Sequence, residues 1–461
     1  MASHRKLKSA LIFSIACLYL ASSFIENHFL HYLLTALSAV TVVICLFDAG
    51  GMNRTIGILL FGVGSAILFY YQAPGVVWID SMHANGNLIA LIILVQMLGI
   101  PLKFERYIKV LERARNFLSG RGIRELYRGS YGLSHSLAVI LNFACIPISY
   151  QVLGSGGNSA VVQRTMLTAI SRGYVTSSIW SPNTSIMALV LMWGSSWLGV
   201  LLPGLVLALI ALPVGWWLEK TRLRKENIDY LYSCLNNHES LLAEPGNKNY
   251  TGQFVSIISV FLAGVILLDQ YTVFGIITII PALSLLVPPL WAKGTGEWES
   301  YVTGLKGYFA DRLAVMDNEI IIFLGAGFFA AAIGYSPIKH ALIAVFSHVA
   351  GFPAALSLTI ISLVVVLSVA GCHPILVISA MVSTLTPELM RCSPQFLALT
   401  VLIAWALALI ISPFSVTSLS VAALVRKSSV EVGVKWHLVF VLAMLVISVM
   451  YLSLLNKVFG Y

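Results

Sequence analysis

The sequence predicts an all-α integral membrane protein, with about 11 transmembrane helices plus two re-entrant hairpins in two inverted repeats. Three observations predict it. Hydrophobic residues make up 58% of the 461 positions and charged residues only 10%, far below the roughly 25% that coats a water-exposed domain. Apolar runs long enough to span a bilayer recur along the chain. Basic residues concentrate in a few polar segments between those runs, so the formal net charge of +9 reads as topology rather than as the mark of an acidic partner. Together these exclude a soluble enzyme, a disordered chain and a nucleic-acid binder.

In chain order, the predicted spans fall near 9–24, 30–47, 55–71, 86–102, 160–195, 197–218, 252–268, 272–290, 318–335, 393–425 and 434–456. Arg5, Lys6 and Lys8 precede the first run, which reads as a membrane helix rather than a cleaved leader because many apolar segments follow. Segment 103–128 carries Lys103, Arg106, Lys109, Arg113, Arg115, Arg121, Arg124 and Arg128. Its apolar residues recur at helical spacing, as expected of an amphipathic helix on an anionic leaflet. Further basic groups follow Trp217 and Val425. All of these face the cytoplasm if the N-terminus is inside and the stretches 131–153 and 352–386 each turn back on themselves; the short loops and lack of targeting signals lead us to expect a bacterial-type cell inner membrane. Segments 224–250 and 292–317 read as connecting loops with short interfacial helices. The six cysteines show no paired spacing, so neither a disulfide framework nor a metal site is expected.

The two interrupted stretches resemble each other. The first contains Asn142-Phe143-Ala144-Cys145-Ile146-Pro147-Ile148-Ser149 and the second Ala370-Gly371-Cys372-His373-Pro374-Ile375, with the cysteines 227 positions apart. After each, a long apolar helix is broken by a Ser-Pro pair: Ser181-Pro182-Asn183-Thr184-Ser185 and Ser412-Pro413-Phe414-Ser415-Val416-Thr417-Ser418, 231 positions apart. Matched features in one order and at nearly one offset indicate an internal repeat. Backbone groups freed by a helix break cannot face lipid, so such breaks belong where protein or a water-filled cavity receives them. Pro147 and Pro374 suit the first turn of a half-helix, whose free N–H groups favour an anion. The oxygens of Asn142, Ser149, Asn183, Thr184, Ser185, Ser415, Thr417 and Ser418 are hard ligands that suit a sodium ion.

With these motifs the chain resembles the ion transporter superfamily, which includes divalent-anion/sodium symporters, citrate carriers and the large membrane subunits of TRAP transporters. The resemblance rests on Ala144–Ser149, Ser181–Ser185, Gly371–Ile375 and Ser412–Ser418; the hairpin tips read Cys-Ile-Pro and Cys-His-Pro where symporters carry Ser-Asn-Thr. It implies four regions: scaffold helices and a basic segment in 1–128, a first hairpin and broken-helix core in 129–218, a loop and second scaffold in 219–340, and a second core in 341–461. It also implies a sodium-coupled secondary transporter of a small anionic solute, a carboxylate above all, working by alternating access as a homodimer in the lipid bilayer.

Asn183, Thr184, Ser185, His373, Thr417 and Ser418 are accordingly the expected substrate-binding residues, and Asn142, Ser149, Ser181, Ser412 and Ser415 the expected ion-binding ones. No catalytic residue, cofactor or nucleic-acid partner is expected. Arg172 is read as a residue snorkelling to lipid phosphate or steering an anion, and Arg164 as a loop residue. No predicted membrane centre holds Asp or Glu, which favours sodium over proton coupling; His135, His340, His348 and His373 are the remaining proton carriers. A polytopic membrane enzyme acting on a lipid-linked substrate, a proton-coupled carrier and a channel are the competing readings.

Overall fold

The structure, a computed structural model, describes residues 2–25, 27–107, 122–154, 159–225 and 250–461. Most of segment 103–128, the Ser155-Gly156-Gly157 link, Cys234 and nearly all of 224–250 lie outside them. The protein is an all-α integral membrane protein, and among the described residues there is no strand. Among the described residues, eight stretches are long and apolar enough to cross a membrane, and five shorter apolar helices accompany them. The chain divides into two compact units.

The first unit comprises Met1–Phe104, Ile257–Ala350 and Ile375–Arg391. Its helices α1 (Ala2–Ser22), α2 (His28–Asp48) and α3 (Gly51–Tyr70) are followed by a broken span, α4 (Gly75–His83) and α5 (Gly86–Leu94). The break falls at Asn85, whose amide Nδ2 donates to the Phe323 carbonyl at 3.0 Å and to Ser379 Oγ at 3.4 Å. A side chain therefore satisfies groups that lipid could not. Gly327 permits this approach, since a Cβ there would meet Asn85 at 2.8 Å.

A buried ion cluster ties this unit together. Lys8 on α1 is 4% exposed, and its Nζ donates to Asp48 of α2 at 2.7 Å. The same ammonium lies 2.8 Å from Asp317, the first residue of helix Asp317–Tyr335. Sequence position suggested a flanking charge for Lys8; the fold makes it a three-helix clasp.

The second unit comprises Glu105–Ser256, Gly351–Pro374 and Cys392–Tyr461. Two series of helices follow one another in similar order along the chain, and all of the first belongs to this unit. A helix (α6, Ile123–Leu141), a short turn, a proline-bearing helix (α7, Cys145–Leu153), a helix (α8, Ala160–Ser177), a break, a short helix (α9, Ser185–Val190) and a long helix (α10, Trp197–Lys225) make the first series. After it in the chain come α11 (Tyr250–Tyr271), α12 (Ile276–Thr295), α13 (Trp298–Gly307), α14 (Asp317–Tyr335) and α15 (Ile338–Ser347). Segment 292–317 does hold short helices, as expected, whereas α15 has no counterpart among the predicted spans.

The second series runs α16 (Pro353–Val369), a turn, α17 (Pro374–Thr384), a single helical turn α18 (Pro387–Met390), α19 (Pro394–Ile411), a break, α20 (Val416–Val425) and α21 (Trp436–Phe459); its stretch Ile375–Arg391 belongs to the first unit and the rest to the second. Pro374 opens α17 and Pro147 sits third in α7, both within the first turn, where a missing N–H costs nothing.

Within this unit α8 packs along α6, and α16 packs along α19. Gly173 sets the first contact, because a Cβ there would lie 2.4 Å from the Tyr131 carbonyl oxygen. His135 is fixed in the same contact. Trp180 Nε1 donates to its Nε2 at 3.1 Å, so Nδ1 carries the proton and donates to the Gly173 carbonyl at 3.1 Å. Both nitrogens are satisfied, so His135 braces the contact between α6 and α8.

Replacing Lys8 by Met would leave Asp48 and Asp317 side by side without their cation. Removing one partner of a buried pair costs roughly 3–5 kcal/mol, so K8M should unfold well below the parent in a detergent melt, and the double variant K8M/D317N should recover part of the loss. Equal melting of K8M and the parent would show that the clasp contributes nothing.

Candidate functional site

The two helix breaks are local consequences of sequence. Pro182 and Pro413 cannot donate a backbone hydrogen bond, and the Ser, Asn and Thr residues beside them offer their own groups to the backbone instead. Helix α8 ends at Ser177 and α9 begins at Ser185; α19 ends at Ile411 and α20 begins at Val416. The two broken helices cross. Helix α19 packs against both α8 and α9, while α20 packs against α8 and α7.

Each break is pinned to the end of a preceding helix by one side chain. Asn183 Nδ2 donates to the carbonyls of Val139 at 3.1 Å and Ile140 at 3.0 Å, near the end of α6. Ser412 Oγ donates to the Ser368 carbonyl at 2.8 Å, near the end of α16. Asn183 lies 44 residues after Val139 and Ser412 lies 44 after Ser368. The turns that follow α6 and α16 also correspond, with Asn142 at φ +51° and Gly371 at φ +110°. Each of these three pairs is 229 positions apart, midway between the offsets of the cysteine and Ser-Pro pairs.

The expected site residues divide into those whose polar groups are used and those whose groups remain. Asn142 accepts from the Tyr174 hydroxyl at 3.0 Å and donates to the Asn183 carbonyl at 3.4 Å, so it braces the first break. Ser181 Oγ accepts from the Asn183 N–H at 3.4 Å. Ser415 caps α20, accepting from the Ser418 N–H at 3.1 Å, and donates to the Ser412 carbonyl at 3.0 Å. Thr184 and Ser185 are buried at the start of α9, where Thr184 makes no side-chain cap. His373 is half-buried in the turn before α17, its ring edge-on to Trp405 with centroids 6.2 Å apart.

The remaining atoms are buried and have no hydrogen-bond partner among the described residues: Asn183 Oδ1, Ser149 Oγ, Thr417 Oγ1, Ser418 Oγ, Ser368 Oγ and Trp405 Nε1. They belong to the two breaks, to α7, which packs against α20, and to α16 and α19, which pack against each other. A buried polar atom without a partner costs about 1–3 kcal/mol, so six of them on these neighbouring elements are not what folding alone would select. Five of the six are oxygens, four of them hydroxyls able to donate as well as accept. Such a set can wrap a hard cation or receive an anionic group. Ser368 and Trp405 were not expected from the sequence; their only signal is the internal offset that pairs Ser368 with Val139.

Arg172 and Arg164 correct the sequence reading, and Glu219 adds a residue it did not consider. Arg172 is 3% exposed inside the unit, so it does not snorkel to lipid. Arg164 lies in α8 rather than in a loop, with its guanidinium 5.4 Å from the Trp436 ring centroid. Glu219 is 3% exposed because α10 continues to Lys225, so the second unit does hold a buried carboxylate.

Thr417→Val removes an unpartnered hydroxyl and should leave thermal stability unchanged or raise it by up to about 2 kcal/mol. Asn183→Leu removes two bonds to carbonyls and should lower it by about 2–4 kcal/mol. Detergent melts of the two variants side by side check this; equal losses would mean that Thr417 is as structural as Asn183.

No protein-family model and no curated protein matches the chain. Among solved structures, the chain is similar to the YdaH transporter of Alcanivorax borkumensis, with a TM-score of 0.53 at 13% identity, covering 89% of this chain and 98% of that one. MtrF of Neisseria gonorrhoeae, described within a class of antimetabolite efflux pumps, aligns with a TM-score of 0.45 at 11% identity over 91% of this chain and 94% of that one. The likeness to YdaH extends over nearly all of both chains: this protein has the fold of a solved membrane transporter.

Proposed function

We propose that the protein is a secondary active transporter of a small anionic solute, a carboxylate above all, coupled to sodium and working by alternating access between two inverted repeats with re-entrant hairpins. One observation carries this reading: six buried, unpartnered polar atoms lie at the two helix breaks or on helices that pack against one another there. Likeness of fold to a transporter supports it. Internal pairs held at a constant offset support the repeat. Broken helices of this kind place backbone and hydroxyl oxygens where a desolvated ion can be received.

In this reading Thr417, Ser418 and Ser149 contact the transported species, while Asn183 both holds the first break and offers Oδ1. Ser412, Ser415, Asn142 and Ser181 set the geometry, with most of their hydrogen bonding directed to the backbone. An enzymatic role is disfavoured because these groups include no nucleophile with an adjacent base. Glu219 supplies the one specific argument for proton coupling. It is, however, bonded to Thr165 Oγ1 at 2.9 Å and ion-paired with Arg222, which favours a structural, ionised carboxylate. A bacterial-type inner membrane with the N-terminus in the cytoplasm accompanies the proposal.

Thermal unfolding of the purified protein with mono-, di- and tricarboxylates and inorganic oxyanions, in sodium against potassium, tests it. A ligand that binds the folded state raises Tm by mass action. One carboxylate class should raise Tm only in sodium, and Thr417→Val should weaken that response at least tenfold in concentration. A shift that is independent of sodium but follows pH would move the coupling to protons and to Glu219. No shift with any anion in either salt would overturn the carboxylate-carrier reading.

A further inference from the structure

Two basic side chains lie over one indole ring. The guanidinium of Arg164, on α8, is 5.4 Å from the Trp436 ring centroid, and the Lys427 ammonium is 6.0 Å from it, the placement in which a cation is drawn to an aromatic face. Trp436 opens α21 and directly follows a turn of π-helix, Glu431–Lys435. Glu431 is ion-paired with Lys427 and lies within electrostatic reach of Lys435 and Arg164 as well. A single carboxylate thus stands among three cations. Lys427 and Lys435 are exposed, as is Arg426 beside Lys427. An exposed pair such as Lys427–Glu431 is weak, so its ammonium can turn to a more highly charged anion.

The patch sits at the end of a membrane span. From Trp436 to Phe459 the only formally charged residue is Lys457, and the stretch Glu431–Phe459 is long and apolar enough to cross a bilayer. Its basic end therefore meets the headgroup layer, where Trp is favoured. Residues three or four apart share one face of a helix, so Leu438, Val439, Leu442 and Val446 continue from Lys435 into the span. All four are exposed. Cations at the boundary joined to an apolar stripe match an anionic headgroup that carries acyl chains, whereas free phosphate would use only the basic end. The same turn bears on the second helix break. A Cβ on Gly433 would lie 2.6 Å from Ser418 Oγ and 2.8 Å from the Ile411 carbonyl oxygen, so a headgroup that holds Lys427 and Lys435 holds a segment packed on the core.

We propose that Arg164, Lys427, Lys435 and Trp436 form a binding site for an anionic phospholipid. Its phosphodiester lies among the three cations, and an acyl chain runs along Leu438, Val439, Leu442 and Val446. The proposal stands apart from the transport reading, since it needs neither sodium nor a solute at the helix breaks.

The test is a melt of the full-length protein in mixed detergent micelles, with phosphatidylcholine replaced stepwise by phosphatidylglycerol at constant total lipid and ionic strength. Inorganic phosphate added to the phosphatidylcholine micelles forms a third arm. The Tm of the parent should rise saturably with phosphatidylglycerol and stay level with phosphate. Lys427→Gln and Lys435→Gln should each raise the half-saturating lipid fraction roughly 5-fold, and the double variant K427Q/K435Q should lose most of the response. Both lysines are exposed, so these variants keep the fold. Lys457→Gln, at the opposite end of α21, should respond as the parent does. Equal melting of the parent in the two lipids, an equal rise with phosphate, an unchanged response in K427Q/K435Q, or the same loss in Lys457→Gln would each overturn the proposal.

Discussion

Everything in the second unit depends on how two interruptions in long apolar helices are satisfied. A helix in lipid closes its own hydrogen bonds; a break opens several at once, and each open group costs as much as a buried polar atom without a partner. Here the solution is the same at both breaks. A side chain at the break, Asn183 or Ser412, donates to carbonyls near the end of the helix that leads into the preceding turn. That bond fixes the break against a second helix and so fixes where the two broken helices cross.

Once the breaks are pinned, the polar groups near them fall into two populations. Asn142, Ser181, Ser412 and Ser415 direct their side chains largely to the backbone and hold the geometry. Ser149, Ser368, Thr417 and Ser418 keep hydroxyls that the fold does not use. The first population lets the second exist, because unsatisfied groups persist only in surroundings that over-determine them. Gly433 shows how close the tolerance is: a Cβ there would lie 2.6 Å from Ser418 Oγ, so the segment before α21 closes directly on the second break.

Charge inside the protein follows the same logic with a larger penalty. In the first unit Lys8 draws together two carboxylates from helices far apart in the chain. In the second, Glu219 is ion-paired with Arg222 on one helix and lies within electrostatic reach of Arg172, whose guanidinium also meets a carbonyl, a hydroxyl and an aromatic face.

The sequence by itself determined the class of protein and the two places where Ser-Pro pairs break long helices, but not the break at Asn85. These follow from composition and from proline and hydroxyl residues acting on their immediate neighbours, so local chemistry suffices. It also showed the doubled Cys-x-Pro and Ser-Pro pattern, and with it most of the residues at the crossing. Only the tertiary structure decided which hydroxyls are consumed by backbone and which are left over, since Ser412 and Ser368 are separated by 44 positions in the chain. It alone turned Lys8 from a flanking charge into a clasp, buried Arg172 and Glu219, and gave His135 a structural role. A helix that is apolar on all sides carries no periodic mark of which face meets which neighbour, so long-range partners of polar groups are fixed by packing and cannot be read along the chain.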